Sequence, residues 1–189
     1  MARARERTHV VEWVDRSRHI PEDSLAPATD SPSAGRQAVV LAGFLVAAYA
    51  AAAIGTVTQG GDVGGTYLAL DPPAWAPPPW LFGPVWTVLY ALIGVAGWWV
   101  WRVGPADGRR TALRLWGAQL VVNAAWPGVF FGLGELGWAL AVIVTLDVLV
   151  VATIVAIARV ARPAAALLVP YLAWILFATA LNAAIWLGQ

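Results

Sequence analysis

The sequence predicts an all-α integral membrane protein that folds as a bundle of five transmembrane helices. Its 189 residues are 60% hydrophobic and only 12% charged, whereas soluble domains carry about 25% charged residues. Five apolar segments also reach the roughly 20 residues that a helix needs to cross a bilayer core. They are residues 37–58, 80–101, 111–131, 136–158 and 164–188. Because their connections are short, residues 37–189 are expected to form one compact domain.

Residues 1–36 differ from the rest and are expected to form a disordered or interfacial cytoplasmic tail. Their arginines and acidic residues balance, so their net charge is zero. A nucleic-acid-binding arm would need a net positive charge, and no nucleic-acid partner is expected. The alternative is a short interfacial helix over Val10–Ile20, with Arg3, Arg5 and Arg7 in contact with anionic membrane lipid.

The arginines predict the orientation of the chain in the membrane. There is no lysine, and the 12 arginines fall in the tail or around the connections after the second and fourth segments. The loops after the first and third segments hold only Asp62, Asp71 and Glu135 as charged residues. Cytoplasmic loops carry the excess of arginine. We therefore expect a multi-pass protein of a bacterial cell membrane, with its N-terminus in the cytoplasm and Gln189 outside.

The residues from 75 to 102 join a proline-rich loop to the second segment. Three consecutive prolines, residues 77–79, cannot lie inside a helix, since each lacks an N–H and clashes with the preceding turn. The helix is therefore predicted to begin near Trp80. The whole loop, residues 59–79, is glycine-rich in its first half and proline-rich in its second. This composition suits a lid over a binding site, and a plain connector is the alternative.

Three predicted helices carry indole, phenol or amide side chains on one face. Spacings of three and four residues define these faces, and Gln119 shares that of Asn123. Amides are costly in hydrocarbon and are expected to point into the bundle or a cavity. Taken together, the three faces predict a ligand pocket. The alternative is that these side chains form hydrogen bonds between helices, and this alternative is favoured for each asparagine taken singly. The candidate binding residues are Trp75, Trp86, Tyr90, Asn123, Trp126, Trp174, Ala178 and Asn182.

Most other tryptophans are expected at the two membrane interfaces, where indole rings are enriched. Trp116 belongs to this group, because it lies near the inner end of the third segment.

The residue inventory excludes several kinds of site. The chain has no cysteine, which removes disulfides, thiolate metal sites and cysteine nucleophiles. Its only histidines, His9 and His19, and its only methionine, Met1, lie in the tail. A haem iron in the bundle would therefore have no His, Cys or Met axial ligand. No catalytic triad, carboxylate pair or phosphate loop is visible, and we predict no catalytic residue and no metal site.

Asp147 is an acidic residue in the middle of the fourth segment. An intramembrane carboxylate is costly and suggests a function by default. A proton relay would need a second ionisable group at the same depth, and none is present. A protonated Asp147 that hydrogen-bonds to a neighbouring helix is therefore preferred.

Three blocks of sequence carry a family resemblance. They are YLALDPPAWAPPPWLFGPVWTVLYALIG (67–94), QLVVNAAWPGVFF (119–131) and PYLAWILFATALNAAIW (170–186). The motif W-x-P-P-x-W-x-F-x-P-V-W-T-x-L-Y in the first block is long and has a low chance rate. Over about residues 38–188 the chain resembles the TspO/MBR family, the bacterial tryptophan-rich sensory proteins and the mitochondrial translocator protein.

The resemblance implies a five-helix bundle whose cavity opens towards the loop after the first helix. Family members bind porphyrins such as protoporphyrin IX, and some bind sterols or benzodiazepine-type ligands. Their pocket residues match Trp86, Asn123 and Trp174. The implied function is a membrane sensor or carrier of tetrapyrroles, with no covalently bound cofactor. The alternatives are light- or oxygen-dependent degradation of the porphyrin by Trp86 and Trp174, and export of small amphipathic compounds with a coupling ion at Asp147.

The chain departs from the family pattern in three places. Thr66 stands before Tyr67 where members often have tryptophan, so one aromatic residue of the lid is missing. Pro72 replaces a lysine, which removes a basic partner for ligand carboxylates. Residues 181–189 lack the Tyr and Arg of the proposed cholesterol motif, and sterol binding by that route is not expected.

Small residues at four-residue spacing let helices approach closely. Ala124, Gly128 and Gly132 form such a stripe on the third segment, and a second one runs from Gly43 to Gly55 on the first. By analogy with bacterial relatives, we predict a homodimer through the third segment.

Overall fold

The computed structural model describes residues 33–104 and 106–189. These residues form helices and contain no strand. The predicted tail lies outside the described residues as far as Pro32, and so does the interfacial helix considered for Val10–Ile20. The helices are α1 (Ala34–Thr58), α2 (Val63–Ala69), α3 (Phe82–Val103), α4 (Ala106–Pro127), α5 (Leu136–Ala158), α6 (Arg162–Ala166) and α7 (Val169–Leu187).

Four spans of the described chain are long and apolar enough to cross a membrane. They are Ala34–Thr58, Pro79–Val103, Leu136–Ala158 and Arg162–Leu187. Helix α4 has 22 residues, but its first turns are polar because they contain Asp107 and three arginines. Length and composition therefore confirm an all-helical membrane protein without confirming five crossings.

The ends of the helices differ from the predicted bounds where prolines and glycines lie. A single 3₁₀ turn, Pro79–Leu81, precedes α3, and a short break divides the fifth predicted segment into α6 and α7. Pro127 ends α4, and the chain continues in a π-helical turn, Gly128–Gly132. Proline removes a helical donor, and the wider turn is closed by the Leu133 amide, which donates to the Gly128 carbonyl at 2.9 Å.

Glycines bring α1 close to α3 in one half of the bundle. A Cβ added to Gly94 would lie 3.1 Å from the Cα of Leu45, and one added to Gly97 would lie 2.9 Å from the Trp116 indole nitrogen. Trp116 itself is only 7% exposed and donates to the Ile93 carbonyl at 2.9 Å. The expectation that Trp116 lies at the membrane interface is therefore wrong, because the glycines open a site for its ring inside the bundle.

The small-residue stripe of α4 packs against α1 of the same chain. A Cβ at Gly132 would lie 2.3 Å from the Thr58 carbonyl oxygen, and one at Gly128 would lie 2.9 Å from the Thr58 Cβ. Ala124 is buried as well. Ala124, Gly128 and Gly132 therefore have packing partners within one chain, although Gly132 remains exposed. The dimer itself stays a prediction.

The charged residues separate to the two ends of the bundle. At one end, the Arg36 guanidinium lies over the Trp101 ring at 5.8 Å, and Arg109 donates to the Trp101 carbonyl at 3.3 Å. We call this the arginine end, where α1 and α4 begin and α3 and α5 finish. The opposite end holds the connections of α1 to α3 and of α4 to α5, with Asp62, Asp71 and Glu135. We call it the acidic end.

Candidate ligand cavity

A cavity of about 590 Å³ lies in the half of the bundle near the acidic end. Small-molecule sites commonly have volumes of ~300–1,000 Å³. Helices α1, α3, α4, α5 and α7 form its walls, and α2 lies over it. None of the described residues that line it is charged, and its surface is mainly aromatic, aliphatic and glycine.

Helix α3 supplies one aromatic wall. Phe82, Trp86 and Tyr90 follow one another at four-residue spacing, which places them on one helical face, and all three line the cavity. The Trp86 ring stacks on the Tyr90 ring with centroids 5.3 Å apart and planes at 30°. This offset pairing fixes the orientation of Trp86.

Trp174 on α7 forms the facing wall. Its ring packs edge-on against Phe82 with centroids 5.8 Å apart and lies 5.6 Å from Phe177. The indole nitrogen of Trp174 is buried and has no hydrogen-bond partner. Buried indole N–H groups usually find an acceptor, so this donor is unsatisfied in the structure.

A chain of hydrogen bonds forms the floor of the cavity. The Tyr90 hydroxyl donates to Asn123 Oδ1, and Asn123 Nδ2 donates to the Tyr171 oxygen at 3.0 Å. The Tyr171 hydroxyl then donates to Gln119 Oε1 at 2.9 Å, and Gln119 Nε2 donates to the Trp116 carbonyl at 3.0 Å. All these groups are buried. We call Tyr90, Asn123, Tyr171 and Gln119 the floor network.

Helix α2 covers the cavity within the loop that was predicted to be a lid or a connector. Asp62 caps the helix, with its Oδ1 accepting from the Gly65 amide at 2.9 Å. The buried Tyr67 ring packs edge-on against Phe82 at 5.4 Å, and its hydroxyl donates to the Pro77 carbonyl at 3.2 Å. Burial raises the pKa of the Tyr67 phenol above its ordinary value, so this group stays neutral.

The exposed part of the lining lies along the gap between α1 and α3. Thr56, Gly83 and Thr87 are exposed there and line the cavity. The Tyr49 hydroxyl crosses the gap and donates to the Thr87 carbonyl at 2.8 Å. The cavity therefore opens beside α2 and between these two helices, and it ends at the floor network.

Six of the eight predicted binding residues line this cavity: Trp86, Tyr90, Asn123, Trp126, Trp174 and Ala178. The other two do not. Asn182 is buried, accepting from the Trp126 indole at 3.3 Å and donating to the Leu136 carbonyl at 3.0 Å, which is the helix-linking alternative. Trp75 is 53% exposed and packs on Phe177 at 5.7 Å. Ligand binding by any of the eight stays a prediction.

Sequence reasoning missed several lining residues. Phe82 could have been found, because it lies four residues before Trp86 on the same face. Tyr67 and Tyr49 carried no such signal, since the first lies in a glycine-rich loop and the second in a run of alanines. Tyr171 does not line the cavity, but it joins the two amides that lie beneath it.

Asp147 lies outside the cavity lining, between α5 and α7. The Thr179 hydroxyl lies 2.9 Å from Asp147 Oδ2 and 2.9 Å from the Ile175 carbonyl oxygen. A hydroxyl has one hydrogen. The hydroxyl either shares its hydrogen between the two oxygens in a three-centre bond, or donates to Ile175 while a protonated Asp147 donates to it. The protonated side chain stays a prediction.

Comparison with known proteins gives one consistent result. The model of the TspO/MBR family matches residues 42–187. The Translocator protein of Homo sapiens is 42% identical over 122 residues, which cover 64% of this chain and 72% of that protein. The Tryptophan-rich protein TspO of Archaeoglobus fulgidus is 44% identical over 121 residues (64% and 78%). The Tryptophan-rich sensory protein of Cereibacter sphaeroides is 38% identical over 139 residues (74% and 84%). The chain belongs to the TspO/MBR family.

Proposed function

We propose that this protein is a membrane sensor or carrier that binds a tetrapyrrole, such as protoporphyrin IX, in the cavity. The observation that carries the proposal is the pair of indole walls, Trp86 and Trp174, in a charge-free cavity of about 590 Å³. A flat aromatic macrocycle buries its faces well against such rings, and each aromatic pair adds about 0.5–1.5 kcal/mol beyond burial.

The other lining residues would have distinct roles in that complex. Trp126 is held by Asn182 through its indole N–H, so it would present its ring rather than its donor. An amide nitrogen carries two hydrogens, and Asn123 uses one for Tyr171, which leaves one for a polar edge of the ligand. Helix α2 would cover the mouth once the ligand is inside.

Helix α4 would provide the fifth crossing of the membrane. Its 22 residues measure about 33 Å at 1.5 Å per residue, and its early arginines would lie at the membrane surface. Arginine marks the cytoplasmic side, so the arginine end would face the cytoplasm. The cavity would then open on the outer side, at the acidic end. A tag accessible only from outside when placed after Gln189 would support this orientation, and one accessible only from inside would contradict it.

Titration with protoporphyrin IX in detergent tests the binding function. Saturable quenching of tryptophan fluorescence is expected for the wild type, with an affinity at least fivefold weaker for Trp86→Phe/Trp174→Phe. The matched control is Trp138→Phe, because Trp138 is 71% exposed and lies outside the lining. An equal affinity of the double variant and the wild type would place the ligand elsewhere.

Oxidative breakdown of the bound porphyrin is the second candidate function. The observation in its favour is a set of readily oxidised rings at short distance. Trp86 lies 5.3 Å from Tyr90 and 6.2 Å from Tyr171. Illumination in air should then bleach the porphyrin absorbance with wild-type protein and not with the double Trp→Phe variant. Equal bleaching by both proteins would exclude this enzyme.

Export of amphipathic compounds gains no support from the geometry. The coupling ion was expected at Asp147, which does not line the cavity and pairs with Thr179. Asp147→Asn should therefore leave porphyrin affinity unchanged within twofold. If the same variant lost uptake or release of the ligand by proteoliposomes, the result would support the export hypothesis instead.

The homodimer remains part of the proposal, with a different face of α4. Ala118, Val121 and Ala125 are exposed at three- and four-residue spacing, and Val121 is 72% exposed. Disulfide crosslinking of Val121→Cys, in a chain without other cysteines, should yield dimers in membranes. Crosslinking through Ala47→Cys alone would assign the interface to α1.

A further inference from the structure

The hydrogen-bonding groups of the cavity are almost all committed to the protein. The hydroxyls of Tyr49, Thr56, Tyr67, Thr87 and Tyr90 line it, and each donates to a protein oxygen. The Trp174 indole N–H is buried without a partner. Asn123 also keeps one amide hydrogen as a neutral donor to an occupant, and the described lining offers no positive charge.

Within residues 33–104 and 106–189, the mouth of the cavity adds negative charge and no compensating cation. Asp62 immediately precedes Val63 and Gly64, which line the cavity, and Asp71 and Glu135 lie at the same end. All the arginines of residues 33–104 and 106–189 lie at the arginine end. Arg36, near the start of α1, is separated from the mouth by most of the length of that helix, whose 25 residues span about 37 Å. Arg114 lies nearer, about 13 Å before Asn123 along α4, but its side chain is exposed and does not line the cavity.

A ligand carboxylate is therefore less favourable than an uncharged group, both inside the cavity and at its mouth. Inside the cavity, the carboxylate would lose water without meeting a cation of the described lining, and an unpaired buried charge is strongly disfavoured. At the mouth, it would remain hydrated but would be repelled by Asp62 and its acidic neighbours. An ester or another uncharged acceptor avoids both costs and can accept the remaining Asn123 amide hydrogen.

We propose that the cavity discriminates by charge and prefers an uncharged, acceptor-bearing tetrapyrrole to the dicarboxylate form of the same macrocycle. This inference rests on the proposed function, because it assumes that the macrocycle binds between Trp86 and Trp174. It assigns specificity to the lack of a cation among the described lining residues, combined with the carboxylate of Asp62, rather than to a contact with the ring.

The test compares protoporphyrin IX with its dimethyl ester on the full-length protein in detergent. The wild type should bind the ester at least about tenfold more tightly. We define the ester-to-diacid ratio as the affinity for the dimethyl ester divided by that for protoporphyrin IX. The ester partitions more strongly into micelles, which alters this ratio by the same factor for every variant. The decisive quantity is therefore the change in the ratio between variants. Raising the salt concentration should strengthen binding of the diacid, by screening repulsion, and leave the ester unaffected.

Two variants change the charge at the mouth. Gln59 lines the cavity at the end of α1, and Gln59→Lys should strengthen diacid binding and reduce the ratio at least threefold. Asp62→Asn removes a negative charge while keeping an equally good helix cap, and it should reduce the ratio about twofold. The matched control, Asp107→Asn, removes a carboxylate at the arginine end and should leave the ratio unchanged.

The outcomes separate the two proposals. A wild type that binds the diacid as tightly as the ester, or a ratio unmoved by Gln59→Lys, would overturn charge discrimination while the binding function stands. Saturable binding of neither probe would overturn the proposed function and this inference together.

Discussion

Asn123 on α4 donates its amide hydrogen to the phenol oxygen of Tyr171 on α7, at 3.0 Å. The Tyr171 hydroxyl in turn donates to Gln119 Oε1 at 2.9 Å. Tyr171 therefore links the amide side chains of Asn123 and Gln119. The floor network therefore has a single direction, from Tyr90 to the Trp116 carbonyl. Each member satisfies the next, and the side chains of all four are buried.

Tyr171→Phe should be costly for this reason. The substitution keeps the ring but leaves Gln119 Oε1 and one Asn123 hydrogen without partners, and each buried unpaired group costs about 1–3 kcal/mol. We expect the free energy of unfolding in detergent, measured by denaturant titration, to fall by about 2 kcal/mol. Tyr49→Phe is the control, because Tyr49 is partly exposed and its loss should cost less than about 1 kcal/mol. Equal effects of the two variants would mean that the network does not stabilise the fold.

Gly132→Ala and Gly43→Ala form a second matched pair. A Cβ at Gly132 would lie 2.3 Å from the Thr58 carbonyl, whereas one at Gly43 meets no atom within 4 Å. Gly132→Ala must separate α1 from the π-helical turn, and we expect a loss of about 1–3 kcal/mol of stability. Gly43→Ala should be neutral or raise stability by up to about 1 kcal/mol through helix propensity. Thermal denaturation followed by circular dichroism would measure both, and an unaffected Gly132→Ala would contradict the close approach.

The indole donors of Trp174 and Trp126 should respond differently to replacement by phenylalanine. Trp174 Nε1 has no partner in the protein, so Trp174→Phe loses no internal hydrogen bond, but it removes ring surface from the cavity wall and should weaken binding of the porphyrin ester about threefold to tenfold. The Trp126 donor is already bonded to Asn182. Trp126→Phe should instead reduce stability and change affinity less. Fluorescence titration and denaturation of the two variants would check this contrast. A larger loss of affinity in Trp126→Phe than in Trp174→Phe would contradict the prediction.

Metal-free protoporphyrin should bind at least as well as haem. The described lining contains no histidine, cysteine or methionine, so the iron would gain no axial ligand and would contribute little affinity. Absorbance titrations of both compounds under the same conditions would measure the ratio. Haem binding at least tenfold more tightly would contradict the expectation and point to an iron ligand elsewhere in the chain.

Apolar length and helical spacing predicted much of this molecule, because both are local properties. They located four membrane-crossing spans and placed Trp86 and Tyr90 on one face. Helix α2 was missed, because its glycine-rich sequence has low helix propensity. It forms only with Asp62 as a cap and Tyr67 buried against Phe82, and such contacts depend on distant parts of the chain.

The same reasoning explains the mixed result at α7. Trp174, Ala178 and Asn182 share a face, but only the first two line the cavity. The crossing of α7 over α5 brings Asn182 to the Leu136 carbonyl instead, and sequence spacing contains no information about crossing angles. Small residues were similarly ambiguous, since Gly128 and Gly132 indicate close helix packing without indicating which helix is the partner.

The floor network also limits how an occupant of the proposed site would move. Among the described residues, the cavity opens beside α2 and between α1 and α3, so an occupant would enter and leave near the acidic end. Such a site would hold its contents for a residence time set by the affinity. Passage through the floor would require Tyr90, Asn123, Tyr171 and Gln119 to change their hydrogen-bond partners.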